Sequence, residues 1–474
     1  MARVLLVNPP IYDFAAYDLW AKPLGLLYVA AVLETLGHEA RIVDCLDRLH
    51  PCYGAGGGKY GHKSRRYGTG SYHWSEVEKP VCYKDIPRVY KRFGLPGEVF
   101  QRELAAGEPP DIIGVTSGMT YWYGGVAEAV EAVRRVFPGV PVALGGIYAT
   151  LSAEHAERVV RPDYLVRGPG EKAMAQIAAE VQGCAAPEVD DFFGSLPFPA
   201  YHLLGRVESV SILTGRGCPY HCAYCASGLL SRGIERRRAS SVEDEIERYK
   251  EEFEVRDVAF FDDALLWDAS NHIKPILRDI IRRGLGMRFH TPNGLAARMI
   301  DEEIAALMKE AGFVTLRLSL ETVSSARQAD WDGKVGHADF IAAVGRLRDA
   351  GFSSEEMGAY VMTGLPDESV EETTRAIAAA HAAAVAVRLA QYSPIPGTAY
   401  FERLAERARA ALAEPLLQNN TAAPVGSGPY ERYEALKTFA ARLNDELAAG
   451  RVVFTTEEAL GGGEELLHRM GIEI

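Results

Sequence analysis

The sequence predicts an α/β fold with an N-terminal doubly wound parallel sheet, a partial (β/α)6 barrel and a helical C-terminal tail. Over residues 1–183, short apolar runs alternate with helical segments, which is typical of a parallel sheet. A second alternating series with six strand–helix repeats occupies residues 209–400. Residues 184–208 are interpreted as a linker, and the Ala- and Glu-rich residues 401–474 as a mostly helical region.

The bulk composition limits the classes of function. A length of 474 residues suggests several domains, each able to bury a core. The net charge of −13 and the pI of about 5.5 argue against a general binder of nucleic acid or of anionic membranes, because phosphate binding needs a basic surface. A basic run at Arg236, Arg237 and Arg238 is interpreted as a solvated helix start.

Targeting signals are not evident in the sequence. The N-terminus lacks the zones of a signal peptide, and no apolar run reaches the roughly 18 residues of a membrane span. The apolar segment Leu24–Leu36 is shorter and is predicted to be a core helix. Three of the seven cysteines crowd into eight positions, which indicates a metal site in a reducing compartment. We therefore expect a cytoplasmic protein.

The first alternating series predicts where a ligand binds. Its predicted strands are Val4–Asn8, Ala40–Asp44, Asp111–Ser117, Val140–Leu144 and Tyr164–Arg167. Ligands of doubly wound sheets bind outside the carboxyl ends of the strands. Several of these ends carry glycines, which let a large flat ligand approach the backbone.

Residues 45–95 interrupt the alternation. An insertion of this length is either a functional lid or a disordered loop. Its many aromatic residues favour an ordered lid, because disordered segments are usually poor in aromatics. These residues are Tyr53, Tyr60, Tyr67, Tyr72, Trp74, Tyr83 and Tyr90.

A cysteine motif follows the first strand of the second series. Cys218, Cys222 and Cys225 have the spacing Cys-x3-Cys-x2-Cys, directly after the predicted strand Ser209–Leu213. Three thiolates can hold three irons of a cubane cluster and leave the fourth iron open. An open coordination position marks a reactive metal site. The alternative is a structural zinc site with His221 as the fourth ligand.

This motif, with the aromatic Tyr224 before its last cysteine, resembles the radical S-adenosylmethionine (SAM) superfamily. The resemblance implies a 4Fe–4S cluster whose open iron chelates the amino and carboxylate groups of SAM. Reductive cleavage of SAM would then yield a 5′-deoxyadenosyl radical that abstracts a hydrogen atom. It also implies an electron donor such as flavodoxin or ferredoxin.

By the same resemblance, polar groups at later strand ends would hold SAM. The candidates are Asp263, Asn293, Ser319 and Glu321, with Gly364 opening room for the adenine. Two ordinary interpretations remain open beside these. Asp263 could cap the next helix, and Arg317 could pair with Glu321.

The pairing of both domains resembles the cobalamin-dependent radical SAM enzymes. The resemblance rests on Val4–Pro10, Lys22–Gly25, Leu144–Gly146 and Gly168–Glu171. It implies a cobalamin-binding-like Rossmann domain whose site is lined by Thr116, Ser117, Gly145, Gly146 and Gly168. The Asp-x-His-x-x-Gly signature that supplies a histidine to cobalt is absent, and the loop after the first strand offers only Asp13 and Asp18. Without cobalamin, the domain would only dock a substrate or partner.

The resulting functional hypothesis is methylation of an unactivated carbon, or of a phosphinate, in a small-molecule substrate. A cobalamin-dependent cyclisation or rearrangement is an alternative. A methylthiotransferase-like protein is another, with a second cluster on Cys45, Cys52 and Cys82; these are otherwise free thiols. A non-enzymatic iron–sulfur redox sensor is the last alternative.

Overall fold

The computed structural model describes residues 1–54, 65–190, 192–231, 233–331, 336–422 and 430–473. The chain forms two compact units. The N-terminal unit contains Met1–Ser211, Leu229–Glu235 and Ala405–Ala422. The barrel unit contains Ile212–Gly228, Arg236–Leu404 and Ala423–Ile474. The N-terminal unit is therefore built from three separate segments of the chain.

A five-stranded parallel sheet forms the centre of the N-terminal unit, in the order β10–β9–β8–β1–β4. This confirms the predicted doubly wound sheet, with strand ends that differ by one or two residues from the expected ones. The strands described in residues 1–183 are β1 (Arg3–Asn8), β2 (Ile11–Asp13), β3 (Tyr17–Asp18), β4 (Glu39–Asp44), β5 (Gly70–Ser71), β6 (Trp74–Glu76), β7 (Lys91–Phe93), β8 (Ile112–Val115), β9 (Val142–Leu144) and β10 (Tyr164–Leu165).

Both faces of this sheet are buried, which explains why its strands are almost continuously apolar. Leu5 and Val7 of β1 pack into one core, and Val4 and Leu6 pack into the other. The helices described in residues 1–183 are α1 (Leu24–Thr35), α2 (Gly97–Ala105), α3 (Tyr123–Val136), α4 (Ile147–Leu151), α5 (Ala153–Val159) and α6 (Glu171–Val181).

The described part of the 45–95 insertion is ordered and packed. Its strands β6 and β7 form an antiparallel sheet with β2, and β5 pairs with β3. Four of its predicted aromatics are buried: Tyr53, Tyr72, Tyr83 and Tyr90. Trp74 is exposed, and Tyr60 lies outside the described residues. The aromatic residues thus supply a core for a segment that has little secondary structure.

The barrel unit is organised around a parallel sheet in the order β11–β14–β15–β17–β18–β19, with β16 paired to β17. All six predicted barrel strands are present, and β11 and β19 are the edges of this path. The strands are β11 (Ser209–Ile212), β12 (Gly215–Arg216), β13 (Glu235–Arg236), β14 (Asp257–Phe260), β15 (Arg288–His290), β16 (Leu295–Ala296), β17 (Phe313–Glu321), β18 (Met357–Thr363) and β19 (Ala386–Gln391).

Helices follow most barrel strands, and their ends obey local rules. In α10, Asp301 caps the first turn by accepting a hydrogen bond from the Ile304 amide, and Gly312 ends the helix at a φ of 104°. The helices from the cysteine motif onward are α7 (Ser227–Leu230), α8 (Ala239–Phe253), α9 (Ile273–Arg283), α10 (Glu302–Ala311), α11 (Ser325–Asp330), α12 (His337–Asp349), α13 (Val370–Ala382), α14 (Ala399–Glu402), α15 (Glu406–Ala411), α16 (Tyr430–Ala448), α17 (Thr456–Gly461) and α18 (Glu464–Arg469). None of the described helices is both long and apolar enough to cross a membrane.

Gly125 in α3 provides a test of how closely the N-terminal unit is packed. A Cβ at Gly125 would lie 1.8 Å from the carbonyl oxygen of Pro10, whereas a Cβ at Gly124 would come no nearer than 3.7 Å to Tyr12. We expect Gly125→Ala to lower the free energy of unfolding by about 3 kcal/mol through overpacking. Gly124→Ala is the matched control, and it should be neutral or stabilise the helix by up to about 1 kcal/mol. Urea unfolding of both variants would contradict the prediction if they were equally stable.

Candidate functional site

The cysteine motif lies in a loop at the carboxyl end of β11. Cys222 is buried, while Cys218 and Cys225 are half-buried. The Cys225 amide donates a hydrogen bond to the Cys222 carbonyl, and the Ser227 amide lies 3.4 Å from the Cys225 Sγ. Amide donors near sulfur stabilise thiolates and tune cluster potentials. The donor set therefore fits an iron–sulfur cluster.

Asp262 fixes the start of this loop. Its carboxylate accepts hydrogen bonds from the Thr214 amide at 3.1 Å, the Thr214 hydroxyl at 2.5 Å and the Gly215 amide at 2.8 Å. His272 contacts the same hydroxyl at 2.7 Å. Burial raises the pKa of Asp262 to about 6, against the opposing effect of these hydrogen bonds. Sequence reasoning chose its neighbour Asp263, whose side chain is exposed.

The basic run contributes to the same region, and the interpretation of it as a solvated helix start is wrong for Arg237. This side chain is buried and forms an ion pair with the buried Glu245. It also donates a hydrogen bond to the Leu213 carbonyl, while its own amide donates to the Thr214 carbonyl. Arg237 therefore links α8 to the strand that leads into the cysteine loop.

Tyr224 and Glu321, two predicted site residues, contact each other directly. The Tyr224 hydroxyl donates a hydrogen bond to the Glu321 Oε2 at 2.6 Å, and burial together with the Glu321 charge raises the Tyr224 pKa well above its usual value. Glu321 has a φ of 64°, and β17 has a register irregularity beside it. A non-glycine residue in this conformation costs on the order of 1 kcal/mol or more, and such strain concentrates at functional sites.

Asn293 and Ser319 are also brought close together. The Asn293 amide donates hydrogen bonds to the carbonyls of Phe261 and Asp262, so its Oδ1 is left as an acceptor. A Cβ at the next residue, Gly294, would lie 2.5 Å from the Ser319 hydroxyl. The loop therefore packs on Ser319 only because it has a glycine there.

Gly364 and Asp263 are the other two residues predicted to bind SAM. Gly364 turns the chain after β18 with a φ of 80°. Asp263 does not cap a helix, since α9 begins only at Ile273 and its cap position is His272. The alternative pairing of Arg317 with Glu321 does not occur among the ion pairs of the described residues.

The described residues do not form a site for a single metal ion. No three His, Cys, Asp or Glu side chains there converge on a point where a single ion could bind. Thiolates of a cubane bind different irons, so such ligands need not converge. His221, the fourth ligand of the zinc alternative, is exposed.

The three N-terminal cysteines have different surroundings. Cys45 is fully buried in the core of the sheet, and burial raises its pKa to about 12. Cys52 is only half-buried at the margin of that core, and Cys82 is exposed. A fully buried, protonated thiol behaves as a small apolar side chain. The arrangement offers no support for a second cluster.

The candidate cobalamin residues meet at the carboxyl ends of β8, β9 and β10. The Ser117 hydroxyl donates to the Gly145 carbonyl at 2.6 Å, and a Cβ at Gly146 would lie 2.4 Å from the Ser117 carbonyl oxygen. Thr150, which sequence reasoning missed, connects this group to Gly168. Its hydroxyl donates to the Gly146 carbonyl and accepts from the Gly168 amide.

This edge also has the shape that a large flat ligand needs. Gly168 has a φ of 80°, and a Cβ there would have no neighbour within 4 Å. Thr116 precedes Ser117 and donates its amide to the Val7 carbonyl. A ligand can therefore approach the backbone at Gly168 without meeting a side chain, so the residues fit the corrin group.

The acidic residues of the loop after β1 are committed to the protein itself. Asp13 is buried and accepts hydrogen bonds from Trp122, Asn419 and Thr421. Asp18 is buried beside Arg48 and Lys22. Burial raises the pKa of Asp13. Neither carboxylate is positioned as a free metal ligand.

Two family descriptions match the chain. Residues 212–378 match the Radical SAM superfamily, and residues 101–178 match the B12 binding domain. The chain is a radical SAM enzyme with a B12-binding domain. The first domain implies a 4Fe–4S cluster and SAM as cofactors of the enzyme, and the second implies cobalamin. The predicted family and cofactors are thereby confirmed.

Individual proteins similar to the enzyme include two curated relatives. An uncharacterized methyltransferase of Pyrococcus horikoshii is 24% identical over 438 residues, which span 84% of this chain and 82% of the relative. The cytidylyl-2-hydroxyethylphosphonate methyltransferase of Streptomyces wedmorensis is 25% identical over 380 residues, which span 68% of this chain and 65% of the relative.

A solved structure shares the fold of the enzyme. It is the radical SAM methyltransferase TsrM of Kitasatospora setae with tryptophan and a SAM analogue bound. The TM-score is 0.62 at 20% identity, and the match covers 84% of this chain and 75% of TsrM. A second TsrM structure contains cobalamin and a 4Fe–4S cluster, and it matches with a TM-score of 0.61.

The enzyme has a further cavity at the carboxyl end of β4, with a volume of about 420 Å³. Asp44 and Asp47 line it, together with Lys22, Arg48 and His50. Burial and the charge of Asp47 raise the pKa of Asp44 to about 6. Neither aspartate was among the predicted site residues, because an acidic residue at a strand end does not reveal its burial in sequence.

The role of Asp262 gives the first prediction for this site. We expect Asp262→Ala to weaken iron retention by about tenfold or more, as for residues that orient metal ligands, because the loop loses its anchoring acceptors. Asp263→Ala is the matched control, since its neighbouring side chain is exposed and makes none of those hydrogen bonds. Iron is counted after anaerobic reconstitution and gel filtration. Equal iron content in both variants would contradict this role.

The second prediction concerns the pH dependence of stability. Because the folded-state pKa of Asp44 lies above its unfolded value, its favourable contribution is complete below about pH 4 and is lost as pH rises through 6. Asp44→Asn mimics the protonated form, so it should gain up to about 2 kcal/mol on the wild type between pH 4.5 and 7.5. The measurement is urea unfolding of the apoprotein, with the exposed Asp349→Asn as control. A difference in the free energy of unfolding between Asp44→Asn and the wild type that did not change with pH would contradict the raised pKa of Asp44.

Proposed function

We propose that the enzyme is a cobalamin-dependent methyltransferase that acts on an unactivated carbon, or on a phosphinate, of a small-molecule substrate. The main support is the presence of a radical SAM domain and a B12-binding domain in one chain. Both curated relatives described above are named as methyltransferases, and one of them spans most of this chain. The small-molecule substrate follows from the low-molecular-weight group in the second relative's name and the tryptophan bound to TsrM.

In this proposal, Cys218, Cys222 and Cys225 hold three irons of the cluster. When bound, the cofactors would supply reductive cleavage of SAM to a 5′-deoxyadenosyl radical and a methyl group carried by cobalamin. The protein keeps the cysteine loop in place through Asp262 and Arg237, which bind its first residues from two directions. An external donor such as flavodoxin or ferredoxin would deliver the electron.

Apart from Gly364, the residues that we assign to SAM carry polar side chains and lie at the carboxyl ends of the barrel strands. Tyr224 donates to one oxygen of Glu321 and so orients the carboxylate toward a cationic or hydroxyl group. The Oδ1 of Asn293 and the hydroxyl of Ser319 would complete this set, with Asp263 at its rim. Gly364 would leave space beside the adenine.

Cobalamin is assigned to the edge formed by Thr116, Ser117, Gly145, Gly146 and Gly168. The protein's contribution there is mainly backbone, because three of the five are glycines and Ser117 is used to join two loops. Asp13 and Asp18 are committed to other side chains. We therefore propose that cobalt receives no ligand from these two residues.

The experiment that tests this function measures both products of SAM. A methyltransferase that uses one SAM as methyl source and another as radical source should form S-adenosylhomocysteine and 5′-deoxyadenosine together. We expect both from the reduced, reconstituted enzyme with bound cobalamin, and we expect 5′-deoxyadenosine to fall below detection in Cys222→Ala. The control is Cys184→Ala, an exposed cysteine outside the motif.

Each alternative gives a different result. Formation of 5′-deoxyadenosine without S-adenosylhomocysteine would favour a cyclisation or rearrangement. Absence of a corrinoid spectrum at micromolar cobalamin would refute the methyltransferase proposal. Formation of neither product from protein with a full cluster would support a redox sensor. About eight irons per chain, instead of about four, would point to a second cubane.

A further inference from the structure

The inner face of the barrel has an unusual arrangement of charge on its last three strands. In β17 and β19, Leu316, Leu318 and Val387 are buried, and helices α10, α12 and α16 pack against these two strands. We therefore assign these three side chains to the outer, helix-covered face of the barrel. Alternate residues of a strand point to opposite faces, so Arg317 and Arg388 face inward. The register places Arg317 beside Gly358, and Arg388 beside Tyr360 in the next inward row.

Arg317 is held close to the strands but makes few hydrogen bonds. A Cβ at Gly358 would lie 3.0 Å from its Nη1 and 3.5 Å from its Cζ, so the guanidinium rests on the glycine. One of its five donors is used, by a hydrogen bond to the Leu316 carbonyl at 3.2 Å. The other guanidinium nitrogens of Arg317 are not completely excluded from solvent, so water or a ligand can reach them.

Two carboxylates of the barrel strands, Asp257 and Glu321, are engaged with other side chains. Asp257 binds Arg288 at 2.6 Å and His290 at 3.0 Å, and Glu321 accepts the Tyr224 hydroxyl. Among the described residues no carboxylate lies within ion-pair distance of Arg317 or Arg388. Burial, and secondarily the charge of Arg388, lower the pKa of Arg317 to about 10. A partly buried cation without a counter-ion is costly, and a bound anion would offset that cost.

The two arginines can reach one anion together. They are two strands and one inward row apart, which places their Cα atoms about 12 Å from each other. Extended guanidinium side chains from both sides can span that gap. The absence of a side chain at Gly358 lets the Arg317 guanidinium lie across β18 toward β19, and Tyr360 stands beside both arginines. Arg388 is exposed, so the site opens to solvent. Two forked guanidinium groups are well suited to the geometry of carboxylate and phosphate.

We propose that Arg317 and Arg388, separated by Gly358, form a binding site for an oxyanion, the carboxylate or phosphate group of a small molecule. Only the assignment of the anionic group to the substrate rests on the proposed function. The site itself is a property of the barrel and can be tested without turnover. It narrows the substrate class to molecules that carry an acidic group.

The test uses the reconstituted holoenzyme and inorganic phosphate as probe. Binding is measured by isothermal titration at constant ionic strength, with chloride balancing the phosphate. We expect saturable binding to the wild type and at least about tenfold weaker binding in both Arg317→Met and Arg388→Met, since each loses charge-assisted hydrogen bonds. The matched control is Arg432→Met, an exposed arginine on α16 that should bind phosphate like the wild type.

The outcomes decide the proposal without reference to activity. Failure of the wild type to bind phosphate saturably, or unchanged binding in both site variants, would overturn it. If Arg317→Met does not fold, Arg388→Met still decides, because its side chain is exposed and leaves no buried gap. Iron and corrinoid contents of the same samples report separately on the proposed function, so the two failures are distinguishable.

Two sources of the anion can be told apart in the same preparation. Ion chromatography after denaturation would reveal a stoichiometric resident phosphate or sulfate, lost in Arg388→Met, if the site holds a free ion. A site that releases no anion but binds added phosphate would favour the acidic group of a substrate. Both results support the site and differ only in what fills it.

Discussion

Parallel strands bring all of their carboxyl ends to one edge of a sheet, and each unit of this protein depends on that constraint. In the N-terminal unit, the edge gathers Ser117, Gly145, Gly146 and Gly168 from three strands and the loops after them. In the barrel unit, the corresponding edge carries the cysteine loop and Glu321. Residues far apart in sequence thereby share a site, because the helices between them are only connections.

The partners of a buried charged side chain indicate whether it stabilises the fold or is available to a ligand. Arg237 is buried deeply, yet Glu245 and backbone carbonyls satisfy it, so it stabilises the cysteine loop. Asp262 is likewise satisfied by donors of that loop. Arg317 differs because its side chain makes one hydrogen bond and has no carboxylate partner among the described residues. Burial alone therefore does not mark a ligand site, and the proposal for Arg317 rests on burial together with the lack of a charged partner.

The architecture and the cysteine motif could be predicted from the sequence, because both depend on patterns among residues that are close together in the chain. The short apolar run Val4–Val7, ended by Pro9 and Pro10, favours a strand buried on both faces, and the spacing of Cys218, Cys222 and Cys225 is visible without a fold. The interaction of Asp262 with Thr214 was not predictable, because 48 residues separate the two and either could have been solvated. Arg237 was misread for the same reason: a basic run gives no sign that its middle member faces inward.

The return of Ala405–Ala422 to the N-terminal unit has a consequence for how the chain is made. Asn419 and Thr421 donate hydrogen bonds to Asp13, and Gln418 accepts one from the Thr120 hydroxyl. During synthesis from the N-terminus, Asp13 would leave the ribosome roughly 400 residues before these partners. The first unit can therefore reach its final state only after nearly the whole chain has been translated. A fragment of residues 1–211 would bury a carboxylate that lacks two of its hydrogen-bond donors, so the complete N-terminal unit cannot be obtained by truncating the gene there.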